Sequence, residues 1–216
     1  MARILLVLVF LSGLRAEAQP ELKGGLDKFV MANKVYPLFS RQNCIEGTVS
    51  VSFKLNREGE VYFSKVQKGI GTDLDDEALR LIRISSGKWN VPDGYDTTAS
   101  VVVPITFKLD DFGCENKSKA EIKTAIDAYQ SRVGLTNAVL NFYKKKPSGD
   151  FTKAEEERII ALKASLGYDE EYLAGRLEEG RKKLKQKDKQ GACEDFLFVK
   201  YMGSDQADEL LAEYCN

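Results

Sequence analysis

Histidine is missing from the 216 residues of this chain, which removes the commonest side chain of general acid–base catalysis. Ser-His and Cys-His nucleophiles and imidazole metal sites are thereby excluded. The densest group of other reactive side chains is an acidic run, Asp73, Asp75, Asp76 and Glu77. Its spacing does not match an EF-hand, and carboxylates in a first helical turn already interact with the helix dipole. We therefore expect no enzyme: no catalytic residue, no metal and no cofactor.

The first 18 residues have the pattern of an export signal. Arg3 precedes an apolar run from Ile4 to Leu11, and Ala16-Glu17-Ala18 is the small-x-small pattern that signal peptidase accepts. The run is shorter than the roughly 20 residues of a membrane-spanning helix. We predict a signal peptide over residues 1–18, cleaved after Ala18, and a periplasmic mature protein without a membrane span. The alternative is an uncleaved N-terminus that anchors the protein in the inner membrane.

The overall composition is that of an ordinary globular protein with balanced charge. Hydrophobic residues make up 43% of the chain, and 32 basic residues face 33 acidic ones for a formal net charge of −1. Binding to nucleic acid usually needs a clustered basic excess that neutralises phosphates. Nucleic acid is therefore not expected as a partner.

The front of the mature chain, residues 22–114, has the pattern of one α+β domain. The segments Thr48–Leu55 and Glu60–Val66 alternate apolar and polar residues on either side of a turn that ends in Gly59, which predicts a β-hairpin. Asp73 is the expected N-cap of the next helix, whose apolar face would cover the sheet.

A third strand is predicted over Ala99–Leu109. Pro104 lies inside it, and because proline has no N–H for a ladder, this strand should be at an edge of the sheet. A right-handed crossover that skips one position makes it antiparallel to the first strand, which is then central. Cys44, just before the first strand, would lie beside Cys114, just after the third, so we predict a disulfide between them. Trp89 is interpreted as a packing anchor of the core.

An all-helical region is predicted over residues 115–216, where the composition shifts to Lys, Glu, Ala and Leu at helical spacing. The charged residues from Glu178 to Lys183 are interpreted as a solvent-exposed face. Two final antiparallel helices would bring Cys193 and Cys215 together as a second disulfide. Pairing of these cysteines with the two front cysteines is the alternative.

Over about residues 24–109, the ordered set of elements resembles the C-terminal domain of TonB, whose family couples inner-membrane energy to outer-membrane receptors. The residues that carry the resemblance are Tyr36-Pro37 before the first strand, Gly47 opening it, Gly59 in the hairpin turn, the helix with Leu74 and Ala78, Trp89 with Pro92, and Pro104-Ile105-Thr106-Phe107.

This resemblance implies a three-stranded antiparallel sheet with packed helices, and a peptide partner. In this family the domain binds the TonB box, an extended peptide of outer-membrane TonB-dependent receptors, by strand addition at the exposed third strand, as part of transmembrane transport. The partner-binding residues that the resemblance implies are Asn33, Tyr36, Pro37, Val101, Val103, Ile105 and Phe107.

The chain also departs from a complete energy transducer of this kind. Such a transducer has a retained membrane helix, commonly with a functional His, and a long Pro-rich spacer, whereas this chain has no His and five Pro. We therefore expect peptide binding without energy coupling by this chain alone.

The alternative function is a stand-alone periplasmic scaffold. In this alternative the helical region covers the third strand and contacts other envelope proteins. The helices from Leu177 to Tyr214 resemble the end of a tetratricopeptide-like or Sel1-like array, which implies a protein-binding face.

Overall fold

Strands are confined to the front half of the chain in the computed structural model, which describes residues 19–110 and 113–215. We call these two parts the front domain and the helical region. The predicted signal peptide, residues 1–18, lies outside the described residues. The helices and strands are, in chain order, β1 Glu21–Leu22, α1 Leu26–Asn33, α2 Leu38–Gln42, β2 Gly47–Leu55, β3 Val61–Lys68, α3 Asp73–Ile84, β4 Trp89–Asn90, β5 Val101–Phe107, α4 Lys119–Lys145, α5 Lys153–Ser165, α6 Glu170–Lys185, α7 Lys189–Tyr201 and α8 Asp208–Tyr214.

The centre of the front domain is an antiparallel sheet with strand order β3-β2-β5. β2 and β3 form the predicted hairpin, and in its turn Asn56 Oδ1 accepts hydrogen bonds from the N–H groups of Glu58 and Glu60 at 3.1 and 2.8 Å. β5 pairs with β2 in one uninterrupted antiparallel register that sets Ser50 opposite Pro104. The α+β fold, the central first strand and the edge position of the third strand are thus confirmed.

α3 covers one face of this sheet with its apolar side. Trp89 is 5% exposed, and its ring centroid lies 4.9 Å from that of Phe53. The indole Nε1–H donates to Ser85 Oγ at 2.8 Å, so the polar end of this core side chain is satisfied. Its role as a packing anchor is confirmed. The fully buried residues around it, each 0% exposed, are Ile45, Val49, Val51, Phe53, Leu55, Leu74, Ala78, Leu81, Ile82 and Phe107.

The prediction of Asp73 as the N-cap of α3 is wrong. Thr72 occupies the cap position with extended backbone, and its side chain accepts from the N–H of Leu74. Asp73 is the first helical residue, where its carboxylate accepts a hydrogen bond from Ser40 Oγ. Threonine and aspartate are both good caps, so two adjacent candidates cannot be separated by residue type alone.

Two features of the front domain have no counterpart in the sequence-based prediction. β1 and β4 pair antiparallel as a separate sheet, and each has only two residues, too few to show a period. α2 follows Tyr36-Pro37 directly, with Pro37 in the N-cap position at φ −60° and ψ 145°. Proline fixes the φ angle at which the chain enters this short helix.

The helical region has its own core around α6, α7 and the second half of α4. α4 starts with a capping box in which Ser118 Oγ accepts from the N–H of Glu121 and the Glu121 carboxylate accepts from the N–H of Ser118. The buried residues are Val139, Leu166, Tyr168, Leu173, Leu177, Ala192, Phe196, Val199, Met202 and Ala207.

Both predicted disulfides are present, which excludes the alternative pairing. Cys44 and Cys114 are joined with a Cα–Cα distance of 5.6 Å, and so are Cys193 and Cys215. The first bond connects the start of β2 to the turn after β5. The second joins the start of α7 to the end of α8.

One residue of the predicted solvent-exposed face on α6 does not belong to it. Lys183 Nζ lies 2.7 Å from a carboxylate oxygen of Asp195, which is fully buried, and Arg176 Nε lies 2.8 Å from the other oxygen. The prediction is wrong for Lys183, because a buried acid on α7 needs a cation within reach. Arg181 and Lys182 pair with exposed acids on α6 itself, as expected of a solvated face.

The helical region packs against the front domain at β3 and α3. The guanidinium of Arg83, on α3, donates to both carboxylate oxygens of Glu194, on α7, at 2.8 and 2.7 Å. The side-chain amide of Gln190 bonds to the backbone of Ser64 on β3. These contacts place α7 at the β3 edge of the sheet, opposite β5. The first half of α4 packs against the front core as well, through Ile122 and Ile126 and through Tyr129 against Phe39.

Candidate functional site

The candidate site is the outer edge of β5, because β5 pairs with β2 on one side only. Among the described residues, no strand pairs with its other side. The opposite edge, β3, has a partner: Ser64 N–H donates to Gln190 Oε1, and Gln190 Nε2 donates to the Ser64 carbonyl, both at 2.8 Å. One side-chain amide thus replaces the backbone of a neighbouring strand at β3.

The Ser64–Gln190 contact also shows to which side of its strand each backbone N–H and C=O group of the sheet points. The N–H and C=O of one residue point to the same side of a strand, and successive residues alternate. Because the backbone N–H and C=O of Ser64 bond to Gln190, these two groups point away from β2. Its partner in the register, Phe53, must then direct its backbone groups toward β5, where it lies opposite Val101.

Three residues of β5 therefore present their backbone to the open edge: Val102, Pro104 and Thr106. The uninterrupted register carries the alternation from Val101 along the whole strand. Their side chains are exposed as well, Val102 by 49%. The open edge thus offers two N–H groups and three carbonyl groups, since Pro104 has no N–H.

The strand residues named from the resemblance lie on the other face of β5. Val101 and Val103 are half-buried, and Ile105 and Phe107 are 1% and 0% exposed in the core. They hold the strand in place and bond to β2. The three residues whose backbone points outward are not among those named from the resemblance. The signal was present in the sequence, because a proline inside a strand must have its nitrogen on the open side, and residues two positions away then share that side.

Tyr36 lies at the end of β5 that carries Phe107. Its ring meets the Phe107 ring edge-on at a centroid distance of 5.9 Å, and its hydroxyl donates to the Ile45 carbonyl at 2.5 Å. Burial, together with the negative charges of Glu46 and Asp73, raises the pKa of Tyr36 to about 12. The phenol is therefore a neutral donor that fixes the segment before α2 against the sheet.

We expect Tyr36→Phe to lower the free energy of unfolding by about 1 kcal/mol at neutral pH, the usual worth of one hydrogen bond. The folded-state pKa lies above the ordinary value of 10.0, so the folded protein keeps the phenol proton longer than the unfolded chain. The contribution of the Tyr36 hydroxyl to the free energy of unfolding is complete below pH 10 and is lost as the pH rises towards 12. Chemical denaturation of both proteins along a pH series measures this; a difference that grows with alkaline pH contradicts it.

Asn33 and Pro37 have structural contacts in this part of the domain. Asn33 Nδ2 donates to the Phe29 carbonyl of its own helix at 2.8 Å, and the Asn33 carbonyl accepts from Arg80 at 2.7 Å. Pro37 begins α2. The structure brings Tyr36 to β5 through Phe107, whereas the recorded contacts of Asn33 are with α1 and α3.

A groove of about 360 Å³ adjoins the other end of β5. The first two described residues, the loop between β4 and β5, and the start of β5 form its walls. The groove and Tyr36 thus lie at opposite ends of β5. The groove is lined by Gln19, Pro20, Tyr95, Ala99, Ser100, Val101 and Val102.

The acidic run on α3 binds internal donors. Asp75 accepts from the N–H groups of Ile70 and Gly71 at 2.8 and 2.9 Å, and Glu77 accepts from the N–H of Val35 at 2.8 Å. Within the part of the chain that the structure describes, no three His, Cys, Asp or Glu side chains are placed to share a metal ion. The contacts of Asp75 and Glu77 order the loops that surround α3.

Comparison with known families gives one match. Residues 32–109 match the model of the family described as Gram-negative bacterial TonB protein C-terminal. Within the front domain, these residues are similar to the TonB C-terminal domain. The match includes Tyr36-Pro37 and all of β5, and the helical region lies outside it. Neither the curated proteins nor the solved structures gave a match to the chain, and the tetratricopeptide-like resemblance of the last helices stays a prediction.

The matched family is associated with the cell envelope, and both disulfides fit an oxidising compartment. In residues 19–110 and 113–215, no helix combines the length and the apolar composition needed to cross a membrane.

Proposed function

We propose that this protein is a periplasmic, non-enzymatic binding protein whose TonB C-terminal domain adds an extended peptide to β5. The peptide class is the TonB box of an outer-membrane receptor, and the role is in transmembrane transport. The observation that carries the proposal is the unpaired outer edge of β5, while α7 of the helical region occupies the opposite edge. Tyr36 packs on Phe107 at one end of β5. Residues 1–18 would direct export and be removed by cleavage after Ala18.

The backbone of β5 is sufficient for such binding. A peptide strand can donate to the carbonyls of Val102, Pro104 and Thr106, and can accept from the N–H groups of Val102 and Thr106. Each hydrogen bond contributes on the order of 1 kcal/mol net. Recognition through backbone groups makes small demands on the peptide sequence.

The helical region leaves this edge accessible. Gln190 contacts β3 of the sheet and Glu194 contacts Arg83 on α3, and β5 has no ladder partner besides β2 among the described residues. The alternative in which the helices cover β5 stays a prediction, and among the described residues no helix side chain hydrogen-bonds to the backbone of β5. A separate envelope partner for the helical region stays a prediction.

The test is an NMR titration of the oxidised chain from Gln19 to Asn216 with TonB-box peptides. We expect saturable shifts along β5, and Thr106→Pro should weaken binding about tenfold or more, since it removes an outward N–H and places a ring where the peptide must lie. Thr106→Val is the matched control, because it keeps the N–H and the β-branched shape. Equal affinity of the two variants, or shifts confined to the helical region, would overturn the proposal.

A further inference from the structure

An open strand edge can pair with a second copy of itself as readily as with a peptide. β5 has no charged residue between Val101 and Phe107 and is rich in Val and Ile, the composition of segments that self-associate as strands. Val102 is 49% exposed on this strand. Two copies of the protein could therefore join their sheets through β5 unless a feature of this edge disfavours the pairing.

At β3, Gln190 blocks such pairing, because its side-chain amide already bonds to the outward backbone groups of Ser64. No equivalent side chain bonds to the outer edge of β5 in the described part of the chain. Proline within an edge strand is the other common protection. Pro104 is the middle one of the three residues whose backbone points outward.

Symmetry makes this proline more costly for a dimer than for a peptide complex. Two copies of β5 that pair antiparallel are related by a twofold axis, so each contact occurs twice. Centred on Pro104, the pairing sets Val102 against Thr106 of the second copy and the two prolines against each other. Two hydrogen bonds are then missing. A peptide with an ordinary residue opposite Pro104 loses only one.

Shifting the register does not remove the defect. With the axis at Val103, Val102 lies opposite Pro104 of the second copy, and the same gap recurs at the symmetric position. With the axis at Thr106, Pro104 lies opposite Lys108. Any twofold register that includes Pro104 therefore loses two bonds, and registers that avoid it leave most of the strand unpaired.

We propose that Pro104 is a specificity-determining residue that disfavours β5–β5 pairing between two copies of this protein while leaving Val102 and Thr106 as the anchors for a peptide strand. The self-association half depends only on the geometry of the edge. The peptide half rests on the proposed function.

The test is sedimentation velocity of the oxidised chain from Gln19, with and without Pro104→Val, across a concentration series. The substitution restores one N–H in each copy, so two bonds of about 1 kcal/mol each should strengthen self-association roughly 30-fold. Affinity for a TonB-box peptide should rise only about fivefold, because one bond is restored. The gain in self-association is thus about the square of the gain in peptide affinity.

Two further variants separate the backbone effect from added apolar surface. Pro104→Ala restores the N–H without the valine side chain and should also associate more strongly than the parent. Pro104→Val combined with Thr106→Pro moves the proline to the next outward position and should return the protein to the parent's association state. Circular dichroism and thermal melts verify that each variant is folded.

The outcomes distinguish this proposal from the proposed function. Unchanged self-association in folded Pro104→Val and Pro104→Ala overturns it, whatever the peptides do. Association that increases with Pro104→Val, persists in the double variant and is absent in Pro104→Ala also overturns it, because apolar surface is then the cause. Increased association in both single variants with no peptide binding supports the proline's role and contradicts the peptide function.

Discussion

Replacing both Cys44 and Cys114 by serine should lower the free energy of unfolding by about 4 kcal/mol. The two cysteines are 70 positions apart, and in the loop-entropy model a bond that closes a longer loop restricts the unfolded chain more. The bond also joins the two strand ends that pair, since Gly47 lies opposite Phe107. Its loss should therefore destabilise β5, the candidate site, together with the fold.

The matched control for this change is the second disulfide. Cys193 and Cys215 are 22 positions apart, so the corresponding double serine variant should lose about 3 kcal/mol by the same model. Urea denaturation of the oxidised proteins at equal concentration compares the two losses. A larger loss for the Cys193–Cys215 variant would show that loop entropy does not determine their order.

Local patterns in the sequence were enough to predict the central sheet and the two disulfides. Alternation over Thr48–Leu55 identified β2 because the apolar side chains of this strand all lie on one face, and Pro104 placed β5 at the edge because it cannot donate to a ladder. Once those two strands were adjacent, the positions of Cys44 and Cys114 followed from connectivity. Each inference used a constraint that acts within about ten residues or through chain topology.

No local pattern predicted the contacts between polar side chains that are far apart in the sequence. Gln190 and Ser64 are 126 positions apart, and Arg83 and Glu194 are 111 apart, so nothing in the local sequence pairs them. The strand named from the resemblance, β5, has an open edge, but its outward backbone groups belong to Val102, Pro104 and Thr106, which alternate with the residues that were named. Apolar periodicity identifies the side of a strand that is buried, whereas strand addition depends on unpaired backbone groups.

Arg83→Met should be the most damaging single substitution at the junction between the front domain and the helical region, with a loss of 3–5 kcal/mol, the usual range for breaking a buried ion pair. Arg83 is 6% exposed, donates to both oxygens of Glu194, and lies 3.9 Å from Asp188, which is 3% exposed. Methionine fills a similar volume but leaves the Asp188 carboxylate buried without that cation. Equilibrium unfolding measures the loss, and faster amide exchange at Ser64 would show that α7 has separated from β3.

Glu194→Gln is the control that separates the buried charge from the exposed one. The Glu194 side chain is 49% exposed, so water compensates for much of what its charge loses, and the substitution should cost no more than about 1 kcal/mol. Equal losses in the two variants would mean that the Arg83–Glu194 contact matters and that Asp188 does not.

The pH dependence of Arg83→Met tests the role of Asp188 directly. Burial raises the pKa of Asp188 above its ordinary value of 3.8, and the positive charge of Arg83 opposes that rise. Without Arg83 the folded-state pKa should rise further, so the folded variant binds a proton at a higher pH than the unfolded chain does. Its stability relative to the parent should then recover as the pH falls from neutral towards 3.8, because protonation removes the uncompensated charge. A deficit that stays constant over this range would assign the loss to packing and to the Glu194 contact instead of the buried carboxylate.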